Sequence, residues 1–182
     1  MMKIVSPLQF KNAFRDVVIT READILHCWS SGSQFTHLVR TTILPQVAAN
    51  LGLEVYSEKD YYWLDAIFYE EMDTVHFGSE KTYAKYIAVA LEHENIPINT
   101  AIEMNKLQLF NAPLKVLITY AGGSNAEKLL ERYAKIVAGA DVFSDFTTER
   151  RQLVIFGQPG CSPPAQMKWT YHAYEDGSFI TI

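Results

Sequence analysis

Two short apolar segments constrain the fold of this chain more than any other feature of its sequence. Residues 87–91 and 114–120 are short apolar runs rich in branched side chains, as buried β-strands are. Between them, residues 99–110 have the spacing of a helix. Residues 124–137 form the clearest helix, since Ser124 and Glu127 make a capping-box pattern. Buried strands that alternate with helices predict an α/β fold with a mixed sheet.

The segments on either side agree with this class. Helical periodicity covers 8–17, 21–29 and 33–51, with a kink expected at Pro45 and an end at Gly52. Aromatic and branched residues predict strands at 53–56 and 61–69, and a short helix is expected near 79–85. Three more strands are predicted at 153–156, 168–174 and 178–182. Asp176-Gly177 indicates the last hairpin turn, and the Pro/Gly-rich residues 157–164 a loop.

The composition limits the kinds of protein that this chain can be. It has 182 residues, 48% hydrophobic and 20% charged, which predicts a single domain over 1–182. Apolar runs are shorter than the ~20 residues of a membrane span, and the first residues do not resemble a signal peptide. Two cysteines suggest a reducing, cytoplasmic location. The net charge of −5 argues against broad coating of nucleic acid but is compatible with a local cleft.

The polar end of the first apolar strand carries the main functional signal. Side chains alternate along a strand, so Glu92 and Glu94 face one side and His93 faces the other. Two neighbouring carboxylates repel one another unless a cation lies between them. Mg²⁺ or Mn²⁺ is the expected cation, because both prefer carboxylate and water oxygens.

A third acid and a lysine complete the predicted site. Asp65 stands alone in the apolar run 63–69, where burial without a partner is unfavourable. If that strand pairs with the strand of Glu92, the three acids meet around one or two metal ions. Lys106 follows on the next helix, one turn after Glu103, and would stabilise charge on a phosphate. The simpler alternative is that these acids are solvated strand ends and that Lys106 is a solvated helix lysine.

The order of these elements resembles that of the PD-(D/E)XK nuclease superfamily. The resemblance rests on the strand with Asp65, the strand ending in Glu92-His93-Glu94, the helix with Glu103 and Lys106, and the strand 114–120. The resemblance covers about residues 33–140, which would form the nuclease-like core. Residues 151–182 would form a C-terminal strand extension outside it. Within that superfamily the chain is similar to uncharacterised bacterial members, and the resemblance implies a restriction-endonuclease-like mixed sheet flanked by helices.

The resemblance also implies roles for individual residues. Asp65 and Glu92 match the two metal-binding acids, and Glu94 stands where the family usually has lysine. Some members carry Glu there, and others place the lysine on the next helix, which Lys106 would represent. Members without an intact set can be inactive binding or scaffold proteins.

Several other residues have functional and structural interpretations. Gly122-Gly123 lies at a strand-to-helix turn suited to a phosphate, although a plain turn is the simpler interpretation. The five histidines lack metal-ligand spacing. Glu22 suits either an extra ligand beside the acids or a solvated helix face, and the solvated face is the simpler interpretation. Aromatic side chains at Tyr61, Tyr62 and Trp63 suit either base stacking or a buried strand. Lys81 and Lys85 are expected on one helix face, either solvated or lining a nucleic-acid cleft.

The sequence thus predicts a Mg²⁺- or Mn²⁺-dependent nuclease that hydrolyses phosphodiester bonds, with DNA favoured over RNA. Asp65, Glu92 and Glu94 are its predicted metal ligands, and Lys106 its oxyanion-stabilising residue. The alternative is a catalytically inactive nuclease-fold protein that acts as an interaction or regulatory subunit, as a homodimer or with a partner protein. A third possibility is a small-molecule enzyme that binds phosphate at Gly122-Gly123.

Overall fold

The computed structural model describes residues 3–71, 74–77, 81–96, 98–120, 125–140, 151–160 and 166–182. Its helices are α1 (Pro7–Thr20), α2 (Glu22–Cys28), α3 (Gly32–Leu38), a π-helical turn (Val39–Ile43), α4 (Leu44–Asn50), α5 (Thr100–Gln108) and α6 (Ala126–Ala140). Its strands are β1 (Glu54–Tyr56), β2 (Ala66–Tyr69), β3 (Thr74–Phe77), β4 (Lys81–Ala84), β5 (Val89–Glu94), β6 (Leu114–Thr119), β7 (Arg151–Pro159), β8 (Met167–Glu175) and β9 (Ser178–Thr181).

A mixed sheet organises the described part of the chain. Its seven strands lie in the order β1-β2-β5-β6-β7-β8-β9, while β3 and β4 pair as a separate hairpin. β5, β6 and β7 are parallel, because α5 and α6 carry the chain back between them. The outer pairs are antiparallel. The predicted α/β class with a mixed sheet flanked by helices is confirmed.

Helices lie on both faces of this sheet. The N-terminal helices cover one face, where Phe10, Phe14 and Ile43 pack against inward residues of β5, β6 and β7. α5 and α6 cover the other, where Met104, Leu107 and Tyr133 are buried against the sheet. Because β5 is covered on both faces, its side chains are almost all buried, and a charged residue there is enclosed by protein.

Local signals in the N-terminal helices act as the sequence predicts. Ser6 caps α1 and forms a capping box with Gln9, and Pro7 begins the helix. The expected kink at Pro45 is a π-helical turn that ends directly before α4, and Gly52 ends that helix with a φ of 61°.

Three local predictions are wrong. The segment expected as a helix near 79–85 contains β4, because residues 81–84 pair with β3. The strand expected over 61–69 begins only at Ala66, since Tyr61–Leu64 form a tight turn. Residues 157–159, expected in a loop, extend β7 because they pair with β8. The capping residue Ser124 lies outside the described residues.

Candidate active site

Strand pairing brings the two predicted metal-binding acids together. Ala66 of β2 pairs with Leu91 of antiparallel β5, so the same register places Asp65 opposite Glu92. The backbone N–H of His93 donates a hydrogen bond of 2.8 Å to Oδ2 of Asp65, which extends the contact beyond the last ladder pair. Directly opposed residues on one sheet face have Cβ atoms about 5 Å apart. The predicted pairing of these two strands is therefore correct.

Helix α5 adds a lysine and a third acid to this pair. Nζ of Lys106 lies 3.0 Å from Oε2 of Glu92 and also forms an ion pair with Glu103, one turn earlier on α5. The predicted return of Lys106 over the acids is confirmed. It follows from the parallel crossover, which packs α5 against the strand it leaves.

One ammonium group therefore contacts two carboxyl groups, and Glu92 is the more buried of them. The side chain of Glu92 is 2% exposed, against 18% for Glu103. Burial, followed by the charge of Asp65, raises the pKa of Glu92 to about 10. Without a bound cation, Glu92 is thus protonated at neutral pH. Its Oε1 atom is buried and has no hydrogen-bond partner among the described residues, which leaves an acceptor for a further ligand.

Asp65 lies at the more accessible side of the group. Its Oδ1 atom is 3.5 Å from Nη1 of Arg40, which also contacts Asp60 and the carbonyl of Ser57. Burial raises the pKa of Asp65, while the His93 N–H, Arg40 and Lys106 lower it. Arg40 thus contacts one oxygen of the Asp65 carboxylate, and the backbone N–H of His93 contacts the other.

The third predicted ligand, Glu94, points elsewhere. Its Oε1 atom accepts a 2.6 Å hydrogen bond from the backbone N–H of Ile96, and within the described residues it makes no ion pair with Lys106. The place expected for Glu94 beside Glu92 is taken by Glu103. The chain turns directly after Glu94, and the Glu94 carboxylate accepts a backbone hydrogen bond within that turn. Strand alternation alone therefore does not predict where this carboxylate lies.

His93 lies on the other sheet face, as alternation predicts. Its Nε2 atom is 2.7 Å from the hydroxyl of Tyr120, in an aromatic cluster with Phe35 and Trp29. Burial lowers the pKa of His93 to about 3, so the ring is neutral. Packing and hydrogen bonding, not metal binding, explain this histidine.

The remaining candidates lie outside this group. Glu22 accepts a hydrogen bond from the backbone N–H of Met167, which ties α2 to β8. Lys85 follows β4 and is exposed, and Lys81 begins that strand, so no helix joins them. Gly122-Gly123 and the side chain of Lys81 lie outside what the structure describes.

Sequence reasoning missed two contributors to the group. Glu103 appeared only as a neighbour of Lys106, although its i,i+3 spacing to that lysine was a usable signal. Arg40 gave no signal, because it reaches Asp65 from a segment 25 positions earlier in the sequence.

The group has the oxygen ligands that suit a hard divalent cation: two opposed carboxyl groups and a buried Glu92 oxygen that has no hydrogen-bond partner among the described residues. Within the described ranges, no three His, Cys, Asp or Glu side chains are arranged as a metal-binding group. Mg²⁺ commonly uses one or two carboxylates, with water and substrate phosphate as its other ligands. Asp65 and Glu92 are the residues that fit such an ion.

Comparison with protein-family models, curated proteins and solved structures finds no match for this chain. In the parts of the chain that the structure describes, no helix combines the length and apolar character needed to cross a bilayer.

Proposed function

We propose that this protein is a cytoplasmic nuclease that hydrolyses nucleic-acid phosphodiester bonds with Mg²⁺ or Mn²⁺, preferring DNA. One observation carries the proposal: Asp65 and Glu92 oppose one another on adjacent strands, with the Lys106 ammonium 3.0 Å from Glu92. Two acids and a lysine are the residue types that phosphodiester hydrolysis needs, since they hold a metal and neutralise the phosphorane-like transition state.

The order of elements supports the same proposal. In the described part of the chain, helix α4 precedes β1, β2 and β5, and α5 and the parallel strand β6 follow. The restriction-endonuclease-like core has the same order of helix, three strands, helix and strand. In this assignment the β3–β4 hairpin is an insertion between the second and third core strands.

Each residue of the group has a distinct part in this proposal. Asp65 and Glu92 would hold the metal, which when bound polarises the phosphate and lowers the pKa of a coordinated water. Glu92 must lose its proton for that role, so metal binding releases a proton. Lys106, which contacts Glu92 and Glu103, would neutralise charge on a phosphate oxygen. Arg40 positions Asp65, and Glu94 has no part in the site, because its carboxylate accepts a hydrogen bond from the turn that follows β5.

The alternative is an inactive nuclease-fold protein that acts as an interaction or regulatory subunit. The observation in its favour is that the Lys106 ammonium is already engaged with Glu103 and Glu92, and that Glu92 is almost fully enclosed. In this alternative the group is a structural ion-pair network between β5 and α5.

Cleavage of circular single- and double-stranded DNA with Mn²⁺ tests the proposal. Wild type should nick or linearise one of them, and D65N, E92Q and K106M should each reduce the rate by at least about 100-fold. E131Q, on the exposed side of α6, is the matched carboxylate control and should cleave as wild type does. Equal rates in wild type, D65N and E92Q would remove this site from consideration.

A second measurement does not depend on activity. An ion that binds only the folded state raises the melting temperature, by mass action. Mn²⁺ should therefore stabilise wild type and E131Q, but not D65N or E92Q. Stabilisation by Mn²⁺ without cleavage would favour the inactive alternative. If Mn²⁺ does not stabilise wild type, the proposed metal site is contradicted.

A further inference from the structure

The tight turn directly before Asp65 presents two aromatic side chains to solvent. Tyr61 and Leu64 pair through backbone hydrogen bonds of 2.8 and 3.0 Å, so Tyr62 and Trp63 form a two-residue hairpin loop. The side chain of Leu64 is fully buried in the core cluster that also contains Met104 and Leu107 of α5, and it anchors the turn. Trp63 is 81% exposed and Tyr62 is 59% exposed. The interpretation of these residues as a buried aromatic strand is therefore wrong.

The backbone of this loop is unusual for the residues it holds. Tyr62 has a φ of 48° and Trp63 a φ of 78°. Two consecutive residues in the left-handed region are typical of a type I′ turn, where Asn and Gly are strongly preferred. Large aromatic residues are strained there, and neither side chain repays that strain by burial. The folded chain thus keeps two exposed rings at a position where glycine would be more stable.

Neighbouring rings hold the Tyr62 side of this surface in order. The ring centroids of Tyr61 and Tyr62 are 5.0 Å apart, those of Tyr56 and Tyr61 are 5.9 Å apart, and those of Tyr62 and Tyr83 are 6.4 Å apart. The hydroxyl of Tyr61 accepts a hydrogen bond from the backbone N–H of Ala84, which ties the turn to the end of β4. An exposed ring fixed by its neighbours binds with a smaller loss of side-chain entropy than a mobile one.

We infer that Tyr62 and Trp63 form a stacking platform for the unpaired bases of a single-stranded nucleic acid. This inference rests on the proposed function and names the substrate class of the same site. Trp63 is two residues from Asp65, so their Cα atoms are at most about 7 Å apart. A phosphate beside a base stacked on the platform would therefore lie within reach of Asp65, which is the more exposed of the two acids.

The charge of the protein favours unpaired over paired strands. Duplex binding relies on many Lys and Arg contacts to phosphates, whereas the chain carries a net charge of −5 and Arg40 is already paired with Asp60 and Asp65. Stacking needs no cation, and a base in a duplex has no free face for an outside ring. Stacking on exposed aromatic residues is a common way to bind single strands without sequence preference.

Anisotropy of a labelled oligothymidylate, titrated with the full chain in EDTA, tests this inference without cleavage. The decisive variant is W63G, because glycine relieves the backbone strain while it removes the ring. We expect W63G to weaken binding about 5- to 100-fold, the effect of losing one stacked base, with a melting temperature equal to or above that of wild type. W63F should restore most of the affinity. I19A, which removes an exposed apolar side chain from α1, should bind as wild type does.

Two results would overturn the inference. One is equal affinity of wild type and W63G for the single strand, and the other is no binding up to about 100 μM protein. Failure here is distinct from failure of the proposed hydrolysis. If cleavage needs Asp65 but not Trp63, the nuclease proposal stands and the stacking platform is contradicted. If binding depends on Trp63 but the protein never cleaves, the stacking platform stands and the proposed hydrolysis is contradicted.

Discussion

At the scale of single residues, Glu92 is the group whose chemistry depends most on the fold. Its neighbours are Asp65, Glu103 and Lys106, so three carboxyl groups share the charge of one lysine, with Arg40 on the far side of Asp65. A buried carboxylate without full compensation is unfavourable, and it keeps its proton instead. This explains why the pKa of Glu92 rises while that of the better-exposed Asp65 is partly held down by its donors.

The raised pKa of Glu92 predicts a pH-dependent stability. Between the ordinary pKa of 4.5 and the folded value of about 10, the folded state holds a proton that the unfolded state has lost. Stability therefore falls as pH rises through this window, by at most about 1.4 kcal/mol per pH unit. In EDTA, E92Q should lose much less stability than wild type between about pH 5 and 9 in urea-unfolding curves. Parallel pH profiles for wild type and E92Q would contradict this assignment, and E131Q should follow wild type.

At the scale of elements, Gly157 allows β7 to pack closely against two aromatic rings near its end. A Cβ atom on Gly157 would lie 2.6 Å from Cζ3 of Trp169 and 2.8 Å from Cε1 of Tyr120. Both rings belong to the aromatic cluster that surrounds His93. The glycine thus lets β7 approach the rings that back the candidate site.

Substitutions at two glycines should move stability in opposite directions. G157A forces an overpacked contact with Trp169 and should destabilise the protein by about 1–3 kcal/mol. Gly139, in α6, has open space where a Cβ atom would lie. G139A is therefore the matched control and should be neutral or stabilise by up to about 1 kcal/mol. Chemical denaturation of both variants checks this, and a stable G157A would mean that the rings shift freely.

The capping box of α1 makes a second prediction at this scale. The Ser6 hydroxyl accepts from the backbone N–H of Gln9, and the Gln9 side chain accepts from the N–H of Ser6. S6A should reduce the free energy of unfolding by about 1 kcal/mol and lower the melting temperature by about 2–4 °C. S31A removes a weaker cap of 3.5 Å on the short helix α3. Its effect in the same melting experiment should be smaller, and the reverse order would contradict the assignment.

At the scale of the whole molecule, excess negative charge limits how nucleic acid is bound. The chain has 16 Lys and Arg against 21 Asp and Glu. Lys106 and Arg40 are engaged with carboxylates. Binding through the Trp63 platform should therefore be dominated by stacking rather than by phosphate contacts.

This balance predicts a shallow dependence of binding on salt. For single strands, log K falls with log salt concentration with a slope of about −0.7 for each neutralised phosphate. We expect a slope no steeper than about −1.5, the equivalent of two phosphate contacts. Anisotropy titrations over a series of salt concentrations measure it, with W63G showing the same slope at lower affinity. A slope steeper than about −4 would mean that a cationic surface, not the platform, binds the strand.

Local sequence patterns predict most of the fold. They predict about half of the candidate site. The strands 87–91 and 114–120 and the helix between them were predicted because apolar runs and helical periodicity are carried by neighbouring residues. Asp65, Glu92 and Lys106 came together as expected, because strand alternation and a crossover helix fix their faces. β4 was missed, since a short segment becomes a strand only when it finds a partner.

By itself, the sequence determined the α/β class, the buried strands and the face on which Glu92 lies, because periodicity and burial are local properties of the chain. Only the tertiary structure decided that Glu103 stands beside Glu92 in place of Glu94, that Arg40 holds Asp65, and that Trp63 points to solvent. These are contacts between distant segments or the outcome of a backbone turn. Side-chain identity alone does not specify them, since their energies exist only once the sheet and its helices have packed.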